Sequence, residues 1–129
     1  MSKEHTHKER TTDLGMVRIS NEAITAIASI AALEVRGVYK MGGGIRRTIC
    51  DVFLRKSFGG GVRIQTKESE VKLTVFILVE YGVDIPRIAD EVQENVKRAV
   101  EKMTGLVLSE VDVAVEGVRL PVSADKKKN

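Results

Sequence analysis

Tryptophan is absent from the 129 residues, and cysteine occurs once, at Cys50. A single cysteine excludes an internal disulfide framework. Histidine is confined to His5 and His7, so the rest of the chain offers no imidazole for acid–base chemistry or metal ligation. H-T-H alone lacks the further ligands that a fixed metal geometry needs. Aromatics amount to three Phe and two Tyr, which leaves Val, Ile, Leu and Ala to fill the core. No apolar run approaches the roughly 18–20 residues that span a bilayer. The longest, V-F-I-L-V at 75–79, is the length of a strand. The charged start, M-S-K-E-H-T-H-K-E-R, has no apolar segment of the kind a signal peptide carries. The expectation is a soluble, cytoplasmic, single-domain protein without cofactor or metal.

Apolar residues make up 43% of the chain, enough for a real core. Their spacing lays out the elements. Residues 1–12 and 122–129 read as polar, disordered tails, the second basic, and bracket one domain over 13–121. Met16–Ser20 reads as a short strand. Ser20 then caps a helix whose face carries Ile24, Ile27, Ala28, Ala31 and Val35, with Gly37 as its stop. Ile45, Ile49, Val52 and Phe53 suggest a second, shorter helix. Val62–Gln65 alternates as a strand, and Val71–Tyr81 is a longer, central one. Pro86 opens a helix striped with Ile85, Ile88, Ala89, Val92, Val96, Ala99, Val100 and Met103, which Gly105 ends. Leu106–Glu116 is the last strand. The order β-α-(α)-β-β-α-β predicts an α+β domain with its helices packed on a small antiparallel or mixed sheet.

Charge is unevenly placed. Arg36, Lys40, Arg46, Arg47, Arg55, Lys56 and Arg63 face a single acid, Asp51, within this stretch. Arg46, Arg47, Arg55 and Lys56 fall on the polar side of the short helix, and with Arg63 they are the candidate contacts for an anion or a partner. Weak nucleic-acid or anionic-surface binding through residues 36–63 is one functional reading. The alternative for the same residues is a solvated helix face. The run M-G-G-G-I-R-R at 41–47 resembles a phosphate loop only superficially. A helix and a connector are expected before it, and no G-K-[ST] follows. It reads as a joint. Base-stacking RNA modules use strand-borne aromatic pairs, and Tyr39, Phe53 and Phe58 are not spaced as one.

Catalysis finds no constellation. Cys50 has no histidine near it in the domain and reads as a packing residue. Asp112 and Glu116 read as solubilising groups on a strand face. Glu34, set among alanines, is a candidate structural carboxylate, expected to pair with Arg36 or Arg18 or to cap an amide.

Five stretches carry a resemblance. I-T-A-I-A-S-I-A-A-L-E-V-R-G-V (24–38) resembles the signature helix of the alkaline shock protein family, the envelope stress response proteins of mainly Gram-positive bacteria. Y-G-V-D-I-P (81–86), V-Q-E-N-V (92–96), T-G-L (104–106) and V-D-V-A-V-E-G-V (111–118) follow in the family's order and spacing. The resemblance covers about residues 13–121 and implies a small cytoplasmic α+β protein with no catalytic residues to carry over. It further implies self-association into a homo-oligomer, and a membrane-anchoring or envelope/lipid-synthesis protein as partner, with peripheral membrane localisation through that partner. Segment 42–61 departs from the family in being basic and glycine-rich. An enzyme or regulator of lipid metabolism is a third reading, resting on family context alone.

Overall fold

The computed structural model describes residues 9–43, 61–68 and 70–121. Among them stand six strands and two helices: β1 (Glu9–Thr12), β2 (Gly15–Arg18), α1 (Asn21–Leu33), β3 (Val38–Met41), β4 (Val62–Lys67), β5 (Glu70–Glu80), α2 (Ile85–Thr104) and β6 (Leu108–Arg119). The expected short helix around Ile45–Phe53 lies outside the described residues. The α+β class holds, with both helices on one side of a mixed sheet.

Both helices begin where the sequence places caps. Ser20 Oγ accepts from the Ala23 amide at 3.1 Å, and Asp84 Oδ1 accepts from the Arg87 amide at 3.4 Å. Each satisfies an amide that the first turn leaves without a partner. Gly105, in the left-handed region at φ 81°, stops α2. The buried stripe of α2 is Ile88, Val92, Val96 and Val100, one residue per turn. α1 buries Ile24, Ala28, Ala31 and Ala32, and Ile27 is only half-buried. The small residues let α1 and α2 approach each other over the sheet.

β5 is the centre of that sheet. Val71, Leu73, Val75, Ile77 and Val79 are fully buried beneath the helices, while Lys72, Thr74, Phe76, Leu78 and Glu80 alternate onto the other face. β6 runs parallel to β5 along its whole length, which the intervening α2 crossover requires. β3 and β4 share the opposite edge, both antiparallel to β5. They are collinear. Gly42 donates its amide to the Phe76 carbonyl at 2.8 Å, and Val62 pairs with Val75, the next β5 residue. The chain therefore leaves this edge at Gly43 and rejoins it at Gly61, one ladder step away. A Cβ on Gly61 would sit 2.7 Å from the Met41 Cβ, so only glycine fits between the two strand ends.

Two expectations change here. Residues 9–12 are not part of a tail: β1 pairs with β2 in a hairpin, Glu9 opposite Arg18 and Thr12 opposite Gly15. The β1 residues, Glu-Arg-Thr-Thr, are all polar, so no apolar alternation marks that strand. Second, a strand, not a connector, precedes the glycines. The exclusion of a phosphate loop consequently rests on the missing G-K-[ST] alone.

The turn from α2 into β6 carries a pH dependence. Glu101 Oε2 accepts from Lys97 Nζ and from the Leu108 amide, both at 2.8 Å. The Lys97 ammonium first, and the Leu108 amide second, hold the Glu101 carboxyl below its ordinary 4.5, against the opposing pull of partial burial. A carboxylate with a depressed folded pKa contributes stability that is present above its unfolded value and lost as pH falls through the folded one. Below about pH 4.3 the native chain therefore loses stability more steeply than a Glu101→Gln variant. Urea midpoints at stepped pH measure the difference between the two chains, which is constant near neutrality and changes only as pH falls below about 4.3.

Candidate functional site

Two places gather polar or aromatic side chains, one on each layer of the domain. The first is an open cleft of about 360 Å³ where the C-terminal end of α1 meets the middle of α2. Glu34, Arg36, Glu91, Glu94, Asn95 and Arg98 line it together with Val35. Asn95 Nδ2 donates to the Ala31 carbonyl at 2.7 Å and to Glu34 Oε1 at 3.2 Å. Arg98 Nη1 donates to Asn95 Oδ1 at 3.3 Å. The Ala31 carbonyl belongs to the last turn of α1, where carbonyls lack helical partners, so Asn95 satisfies it from the neighbouring helix. Of the partners expected for Glu34, the structure gives it an amide, that of the Asn95 side chain, and not Arg36 or Arg18. This contact clamps α1 to α2.

The second place is the sheet face opposite the helices. Arg63, the one described member of the basic candidates, projects here with its guanidinium carbon 5.4 Å from the Phe76 ring centroid. Arg46, Arg47, Arg55 and Lys56 lie outside the described residues. Tyr39 sits where the β3–β5 register shifts between Val38 and Lys40. The Arg119 guanidinium carbon lies 4.4 Å from its ring centroid, and Arg119 Nε meets Glu80 Oε1 at 3.1 Å. Guanidinium groups stack favourably on aromatic faces. Tyr39 on β3 and Phe76 on β5 thus each carry a guanidinium over the ring.

Acidic residues occupy the other margin of this face. Lys72 Nζ lies 3.3 Å from both Glu110 Oε1 and Asp112 Oδ2, and these carboxylates raise the Lys72 pKa above its ordinary value. Glu116 is the extra residue of a bulge in β6, between Val115 opposite Ile77 and Gly117 opposite Leu78. Bulges re-aim side chains. Here Glu116 Oε1 reaches back to accept the Gly43 amide at 2.6 Å. Asp112 and Glu116, expected merely to solubilise the strand, hold Lys72 and the point where the chain leaves the β3 edge. Glu116 and Gly43 are 73 residues apart, so no local spacing reveals their contact. The alternation of Lys72, Thr74, Phe76, Leu78 and Glu80 along β5 was the available signal for the face itself.

Residues 9–120 match the model of the Asp-23 (alkaline shock protein) family, described as having a cell envelope-related function. The chain belongs to this family. The Bacillus subtilis (strain 168) protein YqhY is 34% identical over 115 residues, covering 89% of this chain and 85% of its own. YloU of the same organism is 31% identical over 114 residues, 87% of this chain and 95% of its own. A stress response regulator gls24 homolog of Streptococcus pyogenes is 25% identical over 126 residues, 96% of this chain and 70% of its own. The match includes the β1–β2 hairpin, in keeping with its being part of the domain. No helix among the described residues is long and apolar enough to cross a membrane.

Proposed function

We propose that the chain is a non-enzymatic, self-associating protein of the envelope stress response or of envelope and lipid homeostasis, acting through protein–protein contacts. The cell envelope-related family supports the setting. One observation carries the mode of action: the β1–β2 hairpin presents Leu14, Met16 and Val17 to solvent at 98%, 56% and 50% exposure. A two-stranded ribbon is marginally stable alone, and clustered exposed apolar groups mark contact surfaces. Glu9 and Arg18 close its base at 3.1 Å, which holds the hairpin ready for an incoming surface. The small-residue face of α1 and the aliphatic strands form the interior of the domain and take no part in this surface. A membrane-anchoring or envelope-synthesis protein is the second partner in this reading, and it places the chain at the cytoplasmic side of the membrane.

Sedimentation tests it. The wild-type chain forms concentration-dependent assemblies, and the triple variant Leu14→Ser, Met16→Thr, Val17→Thr shifts them to smaller species. Its unfolding free energy stays within about 0.5 kcal/mol of wild type, as for substitutions outside the core. A strict monomer over the whole accessible concentration range overturns the reading.

A further inference from the structure

The chain has four methionines, and two of the three among the described residues stand in solvent, Met16 at 56% exposure and Met103 at 69%. Met41 is half-buried, with its side chain against Gly61. Met103 belongs to the last turn of α2. Met16 is placed differently. In the β1–β2 register it pairs with Thr11, and Arg18 pairs with Glu9. Side chains alternate along a strand, so these four share one side of the ribbon and Val17 takes the other. Met16 is the one apolar group on its side. Arg18 is held there from two directions: its Nε meets Glu9 Oε2 at 3.1 Å, and its Nη2 donates to Met16 Sδ at 3.8 Å. A thioether is a weak acceptor, so this contact adds little to the hairpin itself. It does set a guanidinium donor beside an exposed sulfur.

We propose that Met16 is a reversible oxidation site whose sulfoxide weakens association through the hairpin. The inference rests on the hairpin reading of self-association and adds its regulation. The co-reactant is a peroxide. The Sδ lone pair attacks one peroxide oxygen, an S–O bond forms and the O–O bond breaks. One proton moves to the departing oxygen, which leaves as water; sulfur gives up two electrons and the peroxide takes them. The product is a polar, chiral sulfoxide where an apolar thioether stood. Its oxygen carries partial negative charge and accepts from the Arg18 guanidinium in a charge-assisted bond. Arg18 keeps Glu9 through Nε.

The contact surface changes accordingly. The Met16 side of the ribbon becomes polar throughout, and a surface covering it must desolvate the sulfoxide and the guanidinium together. Leu14 and Val17 stay apolar, so association weakens without vanishing. Association in turn shields the sulfur, because an incoming surface on the hairpin excludes the peroxide. Only the dissociated chain is oxidised, and the oxidant draws the equilibrium towards single chains. Methionine sulfoxide reductases return the thioether and, with it, the contact.

Hydrogen peroxide treatment of the full chain tests this, with peptide mass spectrometry reading each sulfoxide and sedimentation reading assembly. The oxidised wild type associates about tenfold more weakly, the cost of a polar group left poorly paired in a contact. The two sulfoxide reductases together restore it. Its melting transition stays cooperative, since Met16 lies outside the core. Met16→Leu keeps an apolar group that peroxide does not attack and associates alike before and after treatment, although Met103 and Cys50 are exposed to the same oxidant. Met16→Gln is weak without any oxidant. The rate of Met16 oxidation falls as protein concentration rises, while that of Met103 does not. If the chain oxidised at Met16 assembles as the reduced chain does, or Met16→Leu loses assembly on treatment as wild type does, the switch is overturned while association through the hairpin stands. A Met16 oxidation rate independent of concentration in an assembling chain also overturns it. A strictly monomeric wild-type chain removes both.

Discussion

Replacing Gly37 with alanine lowers the unfolding free energy by about 3 kcal/mol, from backbone strain and overpacking together. Gly37 has φ 109°, a conformation that side chains with a Cβ rarely adopt. A Cβ there would also lie 2.6 Å from Ile88 Cδ1, and Ile88 is fully buried in the first turns of α2. The neighbouring backbone has little freedom to yield, because the Gly37 carbonyl accepts from the Glu80 amide at 2.9 Å. At about 4 °C per kcal/mol for a domain of this size, the melting temperature falls by roughly 12 °C. Gly82→Ala is the control. Gly82 also has a positive φ, of 92°, but nothing lies within 4 Å of its would-be Cβ, so only the backbone cost of about 1–2 kcal/mol remains. Equal losses at the two sites would disprove the packing contribution at Gly37.

Ile77→Ala has the other large effect, about 2–5 kcal/mol, from lost burial and the cavity left behind. Ile77 is fully buried in the central strand, under both helices. Its neighbour Phe76 points to the other face, half-exposed beneath Arg63. Truncating the larger Phe76 to alanine costs under half as much in the monomer, because its ring has no packed layer above it among the described residues. Chemical denaturation of the two variants at low concentration compares them. A Phe76→Ala loss as large as that of Ile77→Ala would mean that the open face is covered within the monomer.

What the sequence disclosed follows from which interactions are local. α2 was legible because its cap, its stripe and its terminal glycine all lie within one stretch, from Asp84 to Gly105. α1 and β5 declare themselves likewise, by a helical period of apolar residues and by a run too long for a turn. β3 stayed hidden because V-Y-K-M is four residues between glycines, and only its ladder to Ile77–Val79 makes it a strand. Of the hairpin only the second strand showed, as Met16–Ser20, because Glu-Arg-Thr-Thr of β1 has no apolar residue to set an alternation. Glu34 stood out as a carboxylate among alanines, but its partner Asn95 lies 61 residues away on another helix. Glu116 looked like ordinary strand decoration because a bulge, a property of pairing, gives it its direction.

The collinear β3–β4 edge bears on how this fold can change. Its two ends are one ladder step apart, so the sheet registers only that the chain departs at Gly43 and returns at Gly61. Doubling the length of the excursion costs only ~0.6 kcal/mol in closure entropy. The scaffold is therefore a socket. Inserts of other length or charge, even a grafted reporter domain, are expected to fit at that position with the helices on the far side of the sheet undisturbed, as an unchanged melting temperature would show.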